Sequence, residues 1–352
     1  MAVRVFHVEP AGDAGPLERL LGAARRDLAA RHAAGFLAAG ADDVAIVAGP
    51  PDDTPFGARL RDLVRRERPA GLVVLGSGAV PLAKTRDLRE FVAAAQRSQR
   101  SALANNRYSA DVLAVAFAEQ LLDLPDLPGD NALPRWLEEV AGYEVRDLRA
   151  RRRLQVDLDS PLDLVIAGID ASGALEPATR AVAAVATVAS DPRAEIVVAG
   201  RTSAATLRWL ERKTAARTRA FVEERGFRAA SPLAMRVAEP TRPPRSLLGR
   251  LLDAEGPGAL GTILAGLGDA AVVDTRVLLA HRLGPDERAW PKPEDRFASD
   301  LLDAAAVSDP WLRELTASAA AAPIPILLGG HTLVGPGLPL ALRRLMAGGS
   351  ST

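Results

Sequence analysis

Cysteine is missing from all 352 residues. Thiol nucleophiles, disulfide staples and thiolate-bound metals are therefore excluded, while the redox compartment is left open. Lysine is nearly missing too: Lys84, Lys213 and Lys292 are the only three among 44 basic residues, so a phosphate-gripping lysine has few places to be. Aromatic residues make up 4% of the chain, and the spacing of Trp209, Trp290 and Trp311 suits core packing better than a base-stacking platform. Net charge of one sign is lacking, with 44 basic against 44 acidic side chains. Neither nucleic acid nor a membrane surface is then expected as a partner held by bulk electrostatics. No apolar run reaches the roughly 20 residues that span a bilayer, and Met1–Val8 has no signal-peptide pattern. A cytoplasmic protein is the expectation.

What remains is an ordinary globular composition, 48% hydrophobic and 25% charged, long enough for two domains with a core each. Strand-like and helix-like segments alternate. Strands are expected at Val3–Val8, Val44–Ala48, Leu72–Leu75, Ala110–Phe117 and Arg153–Val156. Helices are expected at Leu17–Gly40, Phe56–Arg66, Lys84–Arg97, Ala132–Ala141 and Leu162–Ile169. This alternation implies crossover units and a mainly parallel, Rossmann-like sheet with helices on both faces, whose ligand crevice lies beyond the strands' carboxyl ends. The turn-rich Asp170-Ala-Ser-Gly173 divides residues 1–170 from 171–352. The second half is a further α/β domain, with helices at Ala178–Val188 and Ala204–Arg225, strands at Glu195–Ala199, Ala270–Asp274 and Ile324–Leu328, and a linker at Pro240–Arg245.

The most informative segment is Asp157-Leu158-Asp159-Ser160-Pro161-Leu162-Asp163-Leu164. If a strand leads into it, Asp157 and Asp159 share one face and reach one point. Paired carboxylates with phosphates as further ligands are how proteins commonly hold Mg2+. Ser160, Pro161 and Asp163 have a plainer reading as N-cap, first helical residue and capping-box acid.

This segment matches the pattern D-x-D-[ST]-P-x-D-L, and residues 1–170 thereby resemble the nucleotidyltransferase superfamily of the molybdenum-cofactor and 2-phospholactate guanylyltransferase kind. The resemblance implies a nucleotide-binding α/β sheet in which Asp157 and Asp159 hold Mg2+ on the nucleotide phosphates. It implies a Mg2+-dependent transfer between an NTP and a small phosphorylated acceptor. It also assigns nucleotide binding to three loops: Gly12, Gly15 and Arg19; Gly76, Ser77 and Gly78; and Asn105, Asn106 and Asp111. Asn105, Asn106 and Asp111 have a turn-forming reading as well. Two features depart from the pattern. The first loop carries no lysine, and Gly78 stands where a metal-binding acid is expected. Transfer activity reduced or lost, leaving a nucleotide-binding or scaffold protein, is therefore an alternative.

The second half resembles no family. Its polar clusters, Asp274-Thr275-Arg276, His281, Asp295 and Gly329-Gly330-His331, fall at expected strand or helix ends. They carry the alternative of a separate enzymatic site, with His as an acid–base candidate. Each also has a plainer reading as a cap or loop residue. The composition is compatible with a homo-oligomer without demanding one.

Overall fold

The structure, a computed structural model, describes residues 1–127, 130–170, 173–224 and 244–348. Its contacts divide the chain into two compact units: Met1–Ala14 with Arg19–Leu158, and Gly15–Glu18 with Asp159–Thr352.

The first unit is an α/β layer structure. In chain order it contains β1 (Ala2–Val8), α1 (Pro16–Ala38, whose first turn groups with the second unit), β2 (Asp43–Gly49), α2 (Phe56–Glu67), β3 (Gly71–Gly76), α3 (Thr85–Ala95), β4 (Ser101–Ala104), β5 (Val112–Ala116), α4 (Leu133–Glu139) and β6 (Glu144–Asp147). Alternate strand residues fill two cores. Val3, Val5, Val73 and Leu75 pack with Phe36 of α1 and Phe91 of α3. Leu72, Val74 and Val115 pack with Leu60 and Leu63 of α2 and Leu137 of α4. The sheet order is β2-β1-β3-β5-β4-β6.

That sheet is mixed rather than mainly parallel. β1 pairs in parallel with β2 and β3, and β4 with β6, while β5 runs antiparallel to both β3 and β4. The cause is the connection between β4 and β5, residues 105–111, too short for a parallel crossover and suited to a hairpin. Asn105 closes it. Its Oδ1 accepts from the N–H groups of Asp111 (3.0 Å) and Val112 (3.2 Å), and its Nδ2 donates to Asp111 Oδ2 (2.7 Å) and Leu154 O (2.9 Å).

The strand expected at Arg153–Val156 is not formed. Residues Arg152–Leu154 make a 3-10 turn with local bonds from Leu154 N–H to Arg151 O and from Gln155 N–H to Arg152 O. Side chains pull the segment into this shape. Arg153 and Arg151 reach the buried Asp87 carboxylate, and Gln155 donates to Asn105 O at 2.9 Å. Strand alternation therefore does not place Asp157 and Asp159 on a common face. In place of a strand ladder, Asp157 makes an isolated antiparallel bridge to Ala79.

The second unit contains α5 (Pro161–Ala167), α6 (Glu176–Ala189), β7 (Glu195–Gly200), α7 (Ala204–Lys213), β8 (Arg217–Val222), α8 (Leu247–Glu255), α9 (Leu260–Ala265), β9 (Ala270–Asp274), α10 (Thr275–Leu283), α11 (Pro293–Asp300), α12 (Pro310–Ala320), β10 (Ile326–Gly329) and α13 (Leu338–Gly348). Its four strands are all parallel, in the order β10-β9-β7-β8. Val197, Ala199, Val273 and Leu328 pack against Leu252, Leu264, Leu278 and Leu315, and α6 lies against β7, β9 and β10.

The helix expected over Ala204–Arg225 ends at Lys213, where Thr214 N–H closes on Leu210 O. Arg217-Thr-Arg-Ala-Phe-Val222 then forms an edge strand. It is held as a strand by an unbroken parallel ladder to β7, from Glu195 opposite Arg217 to Gly200 opposite Val222. Of the expected linker, only Pro244 and Arg245 lie within the described residues. Of the expected dividing turn, residues 171 and 172 lie outside them.

Candidate nucleotide site

In a sheet with parallel strands the ligand crevice lies where successive connections leave in opposite directions. In the first unit that place is between β1 and β3, because β2 and β3 flank β1 on opposite sides. His7, next to last in β1, is 3% exposed, and its Nδ1 lies 3.0 Å from Ser77 Oγ just beyond β3. Ser77 is fixed by its own N–H, which donates to Phe6 O at 2.8 Å. The other ring nitrogen, His7 Nε2, is buried without a hydrogen-bond partner among the described residues. Burial first, then the charges of Arg26 and Arg25 on α1, depress the His7 pKa and outweigh the opposing pull of Glu9. The ring is therefore neutral near pH 7. Where Ser77 Oγ–H donates to Nδ1, the ring proton sits on Nε2 as a donor without an acceptor; in the other tautomer Nδ1–H donates to Ser77 Oγ and Nε2 is a bare acceptor.

Gly78 completes this cluster through close approach. A Cβ there would stand 2.8 Å from Asp157 Oδ1, 3.0 Å from Leu158 O and 3.1 Å from Arg25 Nε. The side chain that the resemblance expects at position 78 has no room, since the Asp157 carboxylate occupies that space. Asp157 Oδ1 also accepts from Leu158 N–H at 2.9 Å, and Arg25 Nε donates to Leu158 O at 2.7 Å.

Across the sheet from the His7 side chain, on the face of Phe6 and Val8, is a cavity of about 340 Å³. Phe6 and Val8 of β1, Phe56 of α2, Gly76, Asp111 and Arg59 contribute to its lining. Gly76 and Asp111 are joined by a bond from Gly76 N–H to Asp111 O (3.3 Å). A larger cavity of about 700 Å³, lined by Met1, Ala70 and Gly71 among others, lies at the amino ends of β1 and β3. Ligands of such sheets bind at the other edge.

Neither a family model nor a curated protein matches this chain.

The remaining expected nucleotide residues are dispersed. Asn105 is fully buried and spends its amide on the hairpin. Asn106 Oδ1 accepts from Tyr108 N–H within the same turn. Gly12 lies in an exposed turn, and Arg19 donates to Ala14 O. Gly15 groups with the second unit, where the first turn of α1 is already capped by an anion. Glu294 accepts from Leu17 N–H (3.0 and 3.1 Å) and Glu18 N–H (3.0 Å). The N–H groups that follow Gly15, in the loop expected to bind the nucleotide, thus hold a carboxylate.

Asp159 belongs to the second unit, and its N–H donates to Asp163 Oδ2 at 2.8 Å. Ser160 and Asp163 form the expected capping box of α5. No group of three or more His, Asp or Glu able to hold a metal ion exists among the described residues.

In the second unit, Asp274, Arg276 and His331 lie at or just past the carboxyl ends of β9 and β10. Arg276 is buried and paired in a two-pronged fashion with Asp300. Burial works against its charge, but Asp300 and then Asp274 raise its pKa. His281 sits elsewhere, near the far end of α10. Its Nδ1 accepts from Ser246 N–H (2.9 Å) and its Nε2 faces Asp253 (2.9 Å). Asp295 fixes the approach to α12, accepting from Ser308 and Asp309 N–H groups at 2.9 Å each, while Asp309 is the N-cap itself. His281 and Asp295 are held as structural residues, apart from Asp274 and Arg276.

His7, Arg25 and Arg26 were missed by the reading of sequence. The only available signal was that His7 ends the first strand of a parallel pair.

Proposed function

We propose that the first unit binds a nucleotide at the carboxyl ends of β1 and β3. The observation that carries this reading is the buried, unpartnered Nε2 of His7. A buried donor left without an acceptor costs about 1–3 kcal/mol, a cost removed when a phosphate oxygen takes its bond. Ser77 Oγ, the Gly78 turn and the guanidinium groups of Arg25 and Arg26 supply further donors and positive charge for the phosphates. The cavity on the opposite face at the same carboxyl edge, with Phe6 and Phe56 edge-to-face at 6.4 Å between ring centres, takes the base and ribose of a nucleotide that crosses that edge. Asp111 at its rim supplies an acceptor for base or sugar hydrogens.

Binding is better supported than transfer. Asp157 is committed to the Gly78 turn, so no step of a reaction is assigned to Mg2+ here. Any cation would enter with the nucleotide's own phosphates as ligands. A small phosphorylated molecule as second substrate belongs to the stronger, transferase version of this reading.

Calorimetric titration of the full chain with each NTP and NDP, with and without Mg2+, tests the proposal. Binding is expected without Mg2+, weakened about tenfold or more by His7→Ala. Absence of binding by every nucleotide refutes the reading. Binding unaffected by His7→Ala moves the site elsewhere, and pyrophosphate release with a phosphorylated acceptor would establish transfer.

A further inference from the structure

The second unit has its own switch point. β7 and β9 are neighbours, with β8 outside one and β10 outside the other, so the crevice of this sheet lies beyond the carboxyl ends of β7 and β9. Three loops meet there. After β7 the chain runs Gly200-Arg201-Thr202-Ser203 into α7; after β9 it runs Asp274-Thr275-Arg276 into α10; after β10 it runs Gly330-His331-Thr332. Hydrogen bonds tie these ends together. Thr275 Oγ1 donates to Gly329 O at 3.2 Å, and Thr206 Oγ1 of α7 donates to Gly335 O at 2.9 Å. Gly200 has a φ of 123°, and a Cβ on it would collide with Asp274 Cβ. The β7 turn and Asp274 thus approach as closely as only glycine permits.

The groups gathered here are arranged for an anion. Asp274, 1% exposed, accepts from Arg201 Nε at 2.6 Å and Nη2 at 3.0 Å. That grip uses one edge of the guanidinium and leaves Nη1 outside the pair. Arg276 is matched by Asp300, so these two acids are balanced by bases, while Asp163, within electrostatic reach of Arg276, is pushed by burial towards its neutral form. Two hydroxyls are buried with no hydrogen-bond partner among the described residues: Thr202 (8% exposed) and Thr332 (2% exposed). The other such hydroxyls, Ser101 and Thr218, stand singly at the starts of β4 and β8. Only this edge combines two of them with a clamped arginine. The start of α7, capped by Ser203, adds the positive end of a ten-residue helix.

We propose that the second unit carries a phosphate site of its own at this edge, in which Arg201, Thr202 and Thr332 contact the phosphate of a small phosphorylated molecule and Asp274 positions Arg201. Donors supplied by two separate loops and a guanidinium suit a tetrahedral oxyanion better than a planar carboxylate. This site is independent of the nucleotide site proposed for the first unit.

The test uses the full chain with inorganic phosphate as probe, at constant ionic strength, beside sulfate and acetate. Binding is followed by calorimetry, and stability by thermal unfolding. The variants are Thr202→Val, Thr332→Val and their combination. An unpartnered buried hydroxyl costs stability, so each valine should leave the ligand-free protein at least as stable as before. Each should also weaken phosphate binding about tenfold, whereas His7→Ala leaves a phosphate site that the valines abolish. Arg201→Lys should weaken it as well, since lysine cannot keep the two-pronged pair and still present a third donor group. Sulfate should compete and acetate should not. The proposal is overturned by phosphate binding unchanged in the double valine variant, or by loss of all phosphate binding in His7→Ala alone. Acetate binding as tightly as phosphate overturns it too, as does marked destabilisation by either valine, which would give the hydroxyls a structural role.

Discussion

Replacing Asp163 with asparagine should remove much of the pH dependence of the second unit's stability between about pH 4 and 7. Asp163 is fully buried, and its pKa is pushed up to about 7, by burial first and by the charge of Asp159 second. The N–H groups of Ser160 and Asp159 pull the other way without prevailing. In the unfolded chain an aspartate titrates near 3.9. Between these two values the folded protein holds a proton that the unfolded chain has released. Stability is then fully present below about pH 4 and is lost as pH rises towards 7. A gap of about three pH units at 1.36 kcal/mol each gives about 4 kcal/mol as an upper bound. Relaxation around an ionised carboxylate that still accepts two backbone bonds brings the expected loss to about 2–4 kcal/mol. Asparagine is neutral throughout and keeps one carbonyl acceptor for the α5 cap. Urea unfolding at half-unit intervals from pH 4 to 8, at fixed ionic strength, should show stability falling in the parent and nearly level in Asp163→Asn. The variant keeps a residual slope of the same sign from Asp300, whose pKa burial also raises despite Arg276. Parallel pH profiles for the two proteins would refute the assignment.

Two further substitutions probe the frame around the sites. Asp87, fully buried in the first turn of α3, accepts from Lys84 N–H, Arg153 and Arg151. Burial opposes its charge, but these partners hold its pKa below the ordinary value. Asp87→Ala strands the Arg153 guanidinium and leaves Arg151 to Glu90 alone, and should cost about 3–5 kcal/mol, a fall of roughly 6–20 °C in the first unit's melting temperature, with a change under 2 °C counting against it. Glu294→Ala removes the carboxylate that caps the first turn of α1 and should cost about 1–2 kcal/mol. Calorimetry that finds both transitions unmoved in Glu294→Ala would show that the cap contributes nothing.

The alternation of helices with β-branched runs was legible because buried strands such as Leu72–Leu75 and Ala270–Asp274 are short apolar blocks bounded by turn residues. β4 was not, since Ser-Ala-Leu-Ala has no strand propensity and becomes a strand only by closing a hairpin through Asn105. The same asparagine looked like a base reader in the sequence, because an amide's partners are set by the fold and not by its neighbours in the chain. β8 was hidden by arginines that favour helix locally but alternate along an edge. The segment at Arg153–Val156 failed as a strand because distant side chains, Asp87 above all, captured its arginines.

At the sites, the features that the sequence could announce have structural bonds to make: the capping box of α5, the amide that closes the β4–β5 hairpin, and Asp295, which fixes the approach to α12. The features on which the functional readings rest have no spacing. His7 and Ser77 lie 70 residues apart, and Arg201 and Asp274 lie 73 apart. What singles these groups out is an energetic anomaly visible only after folding. His7 Nε2, Thr202 Oγ1 and Thr332 Oγ1 are each buried without a partner, at about 1–3 kcal/mol apiece. All three lie at the edges where parallel sheets bind ligands. Apolar replacements of matching size at these positions should make the empty protein more stable, a gain that phosphate bound at the proposed sites would offset.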